Sequence, residues 1–214
     1  GGGSLLFKGA ATSGNAALIL EGGTVICGAA NCIGVNAAVP ISSGASLLLN
    51  GFNQTAASLT AAANSTVSFG GTNTFTVSTA TLAGALKMCI AKTATTNASK
   101  LIVTGSPLTY AGMLMVSNLG PNALTIGDTF TLFGAPSYAG AFSSFSLPPL
   151  PIGLIWDKSR LVTNGTLVIT TNGSSAWNGG GADGNWNTAA NWNGVLPANG
   201  DLLTFAGGLR PNNT

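Results

Sequence analysis

Glu21, Asp128, Asp157, Asp183 and Asp201 are the only acids in this chain. A glycoside hydrolase works with two carboxyl groups, one as acid and one as base or nucleophile. Asp128 and Asp157 are the pair such chemistry would draw on first, with Asp183, Asp201 and Glu21 behind them. Their context argues for plainer work. Asp128 follows Gly127 at the entry to a strand-like run, and Asp157 follows Trp156 with Lys158 and Arg160 close by, so turn formation and local charge pairing account for both. The chain contains no His, which removes Ser-His-Asp and Cys-His nucleophiles, His-ligated zinc and imidazole acid–base chemistry. The expectation is a protein without catalytic residues.

Binding chemistry has three candidates. Asp183, Asn185 and Asn187 alternate in a Gly-rich loop like the first half of a calcium loop, although the Gly at its sixth position and the closing Glu are missing and an Asx-rich turn gives the same letters. Calcium is the only cofactor this chain suggests, and it does so weakly. Trp177, Trp186 and Trp192 crowd into one Gly- and Asn-rich stretch. They read either as a stacking platform for a glycan or as an aromatic plug over the open end of a repetitive fold. Cys27 and Cys32 are spaced to bridge a short loop, leaving Cys89 free; the alternative is that all three are small buried hydrophobes.

The elements that must position these residues are strands. Of 214 residues only 6% are charged and 31 are Gly, while 45% are hydrophobic, so Gly, Ser, Thr, Asn and Ala have taken the place of charge. A net charge of +2 from scattered residues offers no basic stripe for phosphates, and nucleic acid is not an expected partner. Mean hydropathy is positive, yet every apolar run is cut within a few residues, so no segment reads as a membrane span. The chain opens at Gly1 without Met or a signal-type segment, which reads as a processed protein or an excised piece.

Short runs such as Thr24-Val25-Ile26-Cys27, Ser46-Leu47-Leu48-Leu49 and Thr74-Phe75-Thr76-Val77 end at Gly or Asn, residues that accept the positive φ of tight corners. Their recurrence through residues 1–99 predicts an all-β chain wound as a parallel β-helix. Like-on-like stacking there would set equal charges about 4.8 Å apart, which explains why charge is scarce. Residues 100–172 read as a closing block that either continues the solenoid or forms a β-sandwich-like segment. Residues 173–214, rich in Trp, Gly and Asn, open a new unit or serve capping and assembly.

Several of these runs carry a family likeness. Gly44-Ala45-Ser46-Leu47-Leu48-Leu49-Asn50-Gly51-Phe52-Asn53-Gln54-Thr55 resembles the repeat signature of bacterial autotransporter-associated β-strand repeat proteins. Gly127-Asp128-Thr129-Phe130-Thr131-Leu132-Phe133 and Gly153-Leu154-Ile155-Trp156-Asp157 are similar to the block that closes such arrays in surface proteins of Verrucomicrobia and Planctomycetes type, and the Trp-rich run is similar to the segment that opens the next array. The resemblance implies secretion to the bacterial surface, a right-handed β-helix and a structural or adhesive role without catalysis. Cysteines depart from the pattern of such repeats. The open strand edges of a solenoid further suggest end-to-end stacking of copies into a filament, or contact with neighbouring surface proteins. A carbohydrate-binding module built on the three Trp residues is the alternative.

Overall fold

Alternation of inward apolar and outward small polar residues is the local rule along most of the chain, and it yields a nearly all-β molecule with parallel sheets. The computed structural model describes residues 2–11, 16–171, 173–194, 196–197 and 201–205. In chain order the first strands are β1 (Ser4–Phe7), β2 (Thr24–Cys27), β3 (Ala38–Ile41), β4 (Ser46–Leu48), β5 (Gln54–Ala61), β6 (Thr66–Ser68) and β7 (Thr74–Leu82). There follow β8 (Ala85–Lys92), β9 (Thr96–Ala98), β10 (Lys100–Val103), β11 (Leu108–Tyr110), β12 (Met113–Asn118), β13 (Thr129–Thr131), β14 (Phe133–Gly134), β15 (Tyr138–Gly140) and β16 (Ser144–Ser146). The last elements are β17 (Leu154–Asp157), the short helix α1 (Leu161–Asn164), β18 (Thr166–Thr171), β19 (Ser174–Trp177), a 3-10 turn over Ala189–Trp192 and β20 (Leu202–Phe205).

The first sheet runs β1-β2-β4-β6-β8-β12-β16, parallel throughout, with β9 folded back antiparallel on β8. Successive strands advance by nearly the same length of chain: Ser4 lies beside Thr24, Thr24 beside Ser46, Ser46 beside Thr66 and Thr66 beside Ala85. One buried row therefore continues through Val25, Leu47, Val67, Leu86 and Leu114, with exposed Leu5 in register at one end and half-buried Phe145 at the other. The intervening segments supply the second sheet. In it β3 pairs β5 and β5 pairs β7; the long β7 then carries β10 and β11 on its far side, which pair β14 and β15. The corner between β4 and β5 is made by Asn50 and Gly51, both at positive φ (51° and 81°), the conformation Asn and Gly adopt most readily.

The second half is not a sandwich of two antiparallel sheets. β10, β11 and β12 and then β14, β15 and β16 add to the two parallel sheets, and only β13, β18 and β17 form an antiparallel sheet of three strands. The alternation read from Leu101 to Thr170 is the same for both kinds of strand, because it reports which face is buried and not which neighbour is paired. A single hydrophobic core runs from Leu20 to Ile169, across the boundary expected between residues 99 and 100.

The two ends of this body differ. At the β14–β16 end Tyr110 packs on Phe133 (ring centroids 5.0 Å) and Phe142 (4.8 Å), and its hydroxyl donates to the Leu161 carbonyl at 2.8 Å. That bond ties α1, which packs against β14 and β15, onto the last strands. Trp156 of the antiparallel sheet donates its indole N–H to Pro148 O and lies tilted against Phe130, with ring centroids 6.0 Å apart. Aromatic closure thus occurs, but with Tyr110, Phe133, Phe142 and Trp156 in place of the Trp177, Trp186 and Trp192 trio, which lies outside this core. At the other end β1 pairs with one strand among the described residues, and Leu5, Leu6 and Ile19 are exposed.

Candidate functional site

Beyond Thr171 the chain builds a separate small unit. β19 and β20 pair in parallel, setting Trp177 beside Phe205, and the 3-10 turn packs against β19. Trp177 meets Trp192 edge-on at 5.0 Å, Trp186 lies 5.5 Å from Trp192, and Phe205 completes the group at 5.6 Å from Trp186. Trp177 and Trp192 are each 2% exposed, whereas Trp186 is 43% and Phe205 52% exposed. The planes of the three indoles cross at 81°, 58° and 40°. Rings so inclined share no flat face, so the three Trp residues form a miniature core, and only Trp186 and Phe205 present surface to a ligand. The Trp177 indole nitrogen is buried without a partner among the described residues.

Polar side chains knit the loops around this aromatic group. Asn191 is fully buried, and its carboxamide oxygen accepts from the Gly181 N–H at 2.8 Å while its NH₂ donates to the carbonyls of Asp183 (3.0 Å) and Asn185 (3.1 Å). The Trp192 indole N–H donates to Trp186 O at 2.8 Å, and the Asn178 backbone N–H donates to Asn191 O, also at 2.8 Å. Ser175 donates its hydroxyl to Asp201 at 2.9 Å, which ties the starts of the two strands together.

The calcium expectation rested on Asp183, Asn185 and Asn187. Asp183 accepts from the Asn185 backbone N–H and from the Asn185 NH₂, both at 3.1 Å. The Thr188 hydroxyl first, and then these Asn185 groups, hold its carboxyl below the usual carboxylate range. Its oxygens are thus met by N–H and O–H donors of its own loop, as in an Asx turn. Asn187 is exposed, and among the described residues no three His, Cys, Asp or Glu side chains come together. The tail beyond Phe205, part of the third expected segment, lies outside the described residues.

The other acids are dispersed. Asp128 forms an ion pair with Lys92 at 2.8 Å and accepts from the Thr125 N–H. Asp157 accepts from the Ser159 amide at 2.8 Å, and the Ser159 hydroxyl and amide together lower its carboxyl pKa. Thr129 and Asp157 both stand opposite Val168, on either side of β18; two strand spacings put their backbones about 10 Å apart. Each carboxylate serves its own turn. Three clefts of about 130, 350 and 270 Å³ contain, respectively, Lys100, Glu21 and no titratable side chain, so none of the three brings two carboxylates together.

All three cysteines are free and buried. Cys27 and Cys32, the pair spaced for a short bridge, are both thiols, and burial raises the pKa of each. Sequence reasoning missed two members of the aromatic unit. Phe205 becomes visible only through its register with Trp177, and Asn191 carries no local signature of burial. Compared with family models, curated proteins and solved structures, the chain matches none.

Proposed function

We propose that this chain is a non-catalytic structural or adhesive element of a bacterial surface, wound as a right-handed parallel β-helix of the autotransporter-associated repeat type. The observation that carries the reading is the buried row Val25, Leu47, Val67, Leu86 and Leu114, with one residue from each successive strand of the first sheet. Such a row stabilises a rod through apolar burial and parallel backbone bonding, with one ion pair, Lys92 to Asp128, among the described residues. A rod of this kind holds a surface away from the cell and needs no reacting group. No helix among the described residues is long and apolar enough to cross a membrane.

End-to-end self-association, or contact with neighbouring surface proteins, belongs to the same proposal, because the backbone edges of stacked parallel strands can be met by a second copy. Immunogold labelling of intact cells of the producing bacterium, with antibody raised against the chain, tests the placement. Label on unpermeabilised cells is expected, and label that appears only after permeabilisation overturns the reading.

Glycan recognition is the second reading, and exposed Trp186 beside exposed Phe205 is what favours it. Under it, Trp186→Ala removes binding on a glycan array without lowering thermal stability. Under the first reading the unmodified chain binds no glycan.

A further inference from the structure

Two neighbouring strands part company between β9 and β13. β10 and β14 pair in parallel from Leu101 and Phe133 onward, and the Leu101 N–H donates to Leu132 O at 2.9 Å. The segments just before them do not continue that pairing. β9 turns antiparallel onto β8, and β13 turns antiparallel onto β18. They diverge like the arms of a fork, and a cleft of about 130 Å³ lies between them, with Lys100 at its root. All three residues of each arm line this cleft. Successive side chains of a strand point to opposite faces, so a wall made of consecutive residues is a strand edge.

The edge of β13 presents donors. Asp128 O accepts from the Ile169 N–H, and the Leu132 N–H donates to Gly165 O, so the even-numbered residues from 128 to 132 carry the bonds to β18. In an antiparallel pair the intervening residues turn their N–H and C=O groups the other way. Thr129 and Thr131 therefore aim theirs from the edge that borders the cleft, where no strand pairs with them among the described residues. The opposite arm adds Asn97, whose Oδ1 accepts from the Ala98 N–H at 2.8 Å and whose NH₂ has no acceptor among the described residues. Charge is placed unevenly around these groups. Lys92, which stands opposite Thr96 on β8, reaches across the open end of the fork to Asp128 at 2.8 Å and neutralises the acid next to Thr129. Lys100 is partly buried and has no carboxylate partner among the described residues. The fork is thus pinned at both ends, and it holds one ammonium group and several amide donors without an opposing acid.

We propose that this cleft binds a small oxyanion, a single carboxylate or sulfate group, free or carried on an acidic sugar, with Lys100 as the counter-charge and Thr129, Thr131 and Asn97 as hydrogen-bond donors. Alternate N–H groups on one strand edge lie about 7 Å apart, a span that two oxygens of one anion bridge with bonds of about 2.9 Å each. The volume fits such a group and is well below the roughly 300 Å³ at which pockets for drug-sized ligands begin. Charge-assisted bonds from backbone amides and one ammonium are the chemistry that selects an oxyanion over a neutral hydroxyl group.

The test is a titration of the whole chain, isotopically labelled and followed by amide nuclear magnetic resonance, with sodium sulfate, sodium acetate and a galacturonate trisaccharide, each against sodium chloride at matched ionic strength. The expected result is a saturable shift of the Thr129 and Thr131 amides and the Asn97 side-chain NH₂ with sulfate or acetate, which chloride does not reproduce. Tighter binding of the trisaccharide than of acetate would identify the acidic sugar as the source of the anion, and equal binding the free anion; both keep the site. Lys100→Gln should weaken binding at least about fivefold, while Lys87→Gln, at an exposed position on β8, should leave it unchanged. Asn97→Asp keeps the acceptor for the Ala98 N–H and sets a negative charge at the cleft, so it should weaken binding with the rest of the amide spectrum in place. Shifts no larger than those of chloride, shifts confined to other residues, or undiminished affinity in both Lys100→Gln and Asn97→Asp would overturn the proposal.

Discussion

Replacing Leu47 by Ala probes the inward row at its middle. Leu47 is fully buried, flanked in register by Val25 and Val67, while Leu48, the next residue on the same strand, points the other way and is only partly buried. Truncation removes three carbons from the row, worth roughly 2.4 kcal/mol at about 0.8 kcal/mol per buried methylene. A cavity term adds to this, because Val25 and Val67 are held by strand hydrogen bonds and cannot close the gap; the total is about 3–4 kcal/mol, within the range of buried Leu→Ala substitutions. With a urea m-value of about 3 kcal/mol/M the midpoint moves down by about 1 M. Leu48→Ala, by contrast, should cost under about 1 kcal/mol. Urea titrations followed by far-ultraviolet circular dichroism on both variants give the comparison. Equal destabilisation at the two positions would refute the assignment of inward and outward faces, and with it the row itself.

Three further perturbations address the ends. Asn191→Ala strips the partners from the Gly181 N–H and the Asp183 and Asn185 carbonyls; at roughly 1–3 kcal/mol per orphaned group the aromatic unit should open, seen as a red shift in tryptophan fluorescence with the main β-sheet signal retained. Tyr110→Phe removes the donor to buried Leu161 O and should cost about 1–2 kcal/mol, read as faster hydrogen exchange in α1 and β14. Asp183 has a lowered pKa in the folded chain, so its contribution is present above the unfolded-state value near pH 4 and is lost as pH falls through the folded value. Acid titration of the tryptophan signal should therefore show a transition below about pH 4 that Asp183→Asn abolishes; an unchanged transition in that variant would place the acid sensitivity elsewhere.

Much of this architecture could be read from residue order, and the parts that could not share a physical cause. Alternation along Thr24–Cys27 or Thr66–Ser68 states which side chains face inward, and Asn50-Gly51 states where the chain turns. Neither says which strand lies alongside. Pairing is a long-range choice, which is why β13, β17 and β18 were indistinguishable from strands of the parallel sheets until their partners were seen. Residue type was equally silent about depth. Trp177, Trp186 and Trp192 look alike in sequence, yet two are interior and one is exposed, because the parallel pairing of β19 with β20 sets Phe205 beside Trp177. The closing role expected of those indoles falls to Tyr110, Phe133 and Phe142, whose spacing in the chain gives no sign that they meet. Cys27 and Cys32, spaced for a short bridge, are free and buried, as their alternative reading as small hydrophobes has it.

The claim that the chain stacks strand upon strand in sequence order is tested most directly by electron–electron distances from spin labels on the outward positions Ser4, Thr24 and Thr66, each paired with a label at Met113. Register places Met113 two strands from Thr66, four from Thr24 and five from Ser4. At about 4.8 Å per strand the backbone separations are roughly 10, 19 and 24 Å. The account predicts distances that lengthen in that order by these steps. A Ser4 label nearer to Met113 than the Thr66 label would contradict it, because no stack of parallel strands in sequence order permits that inversion.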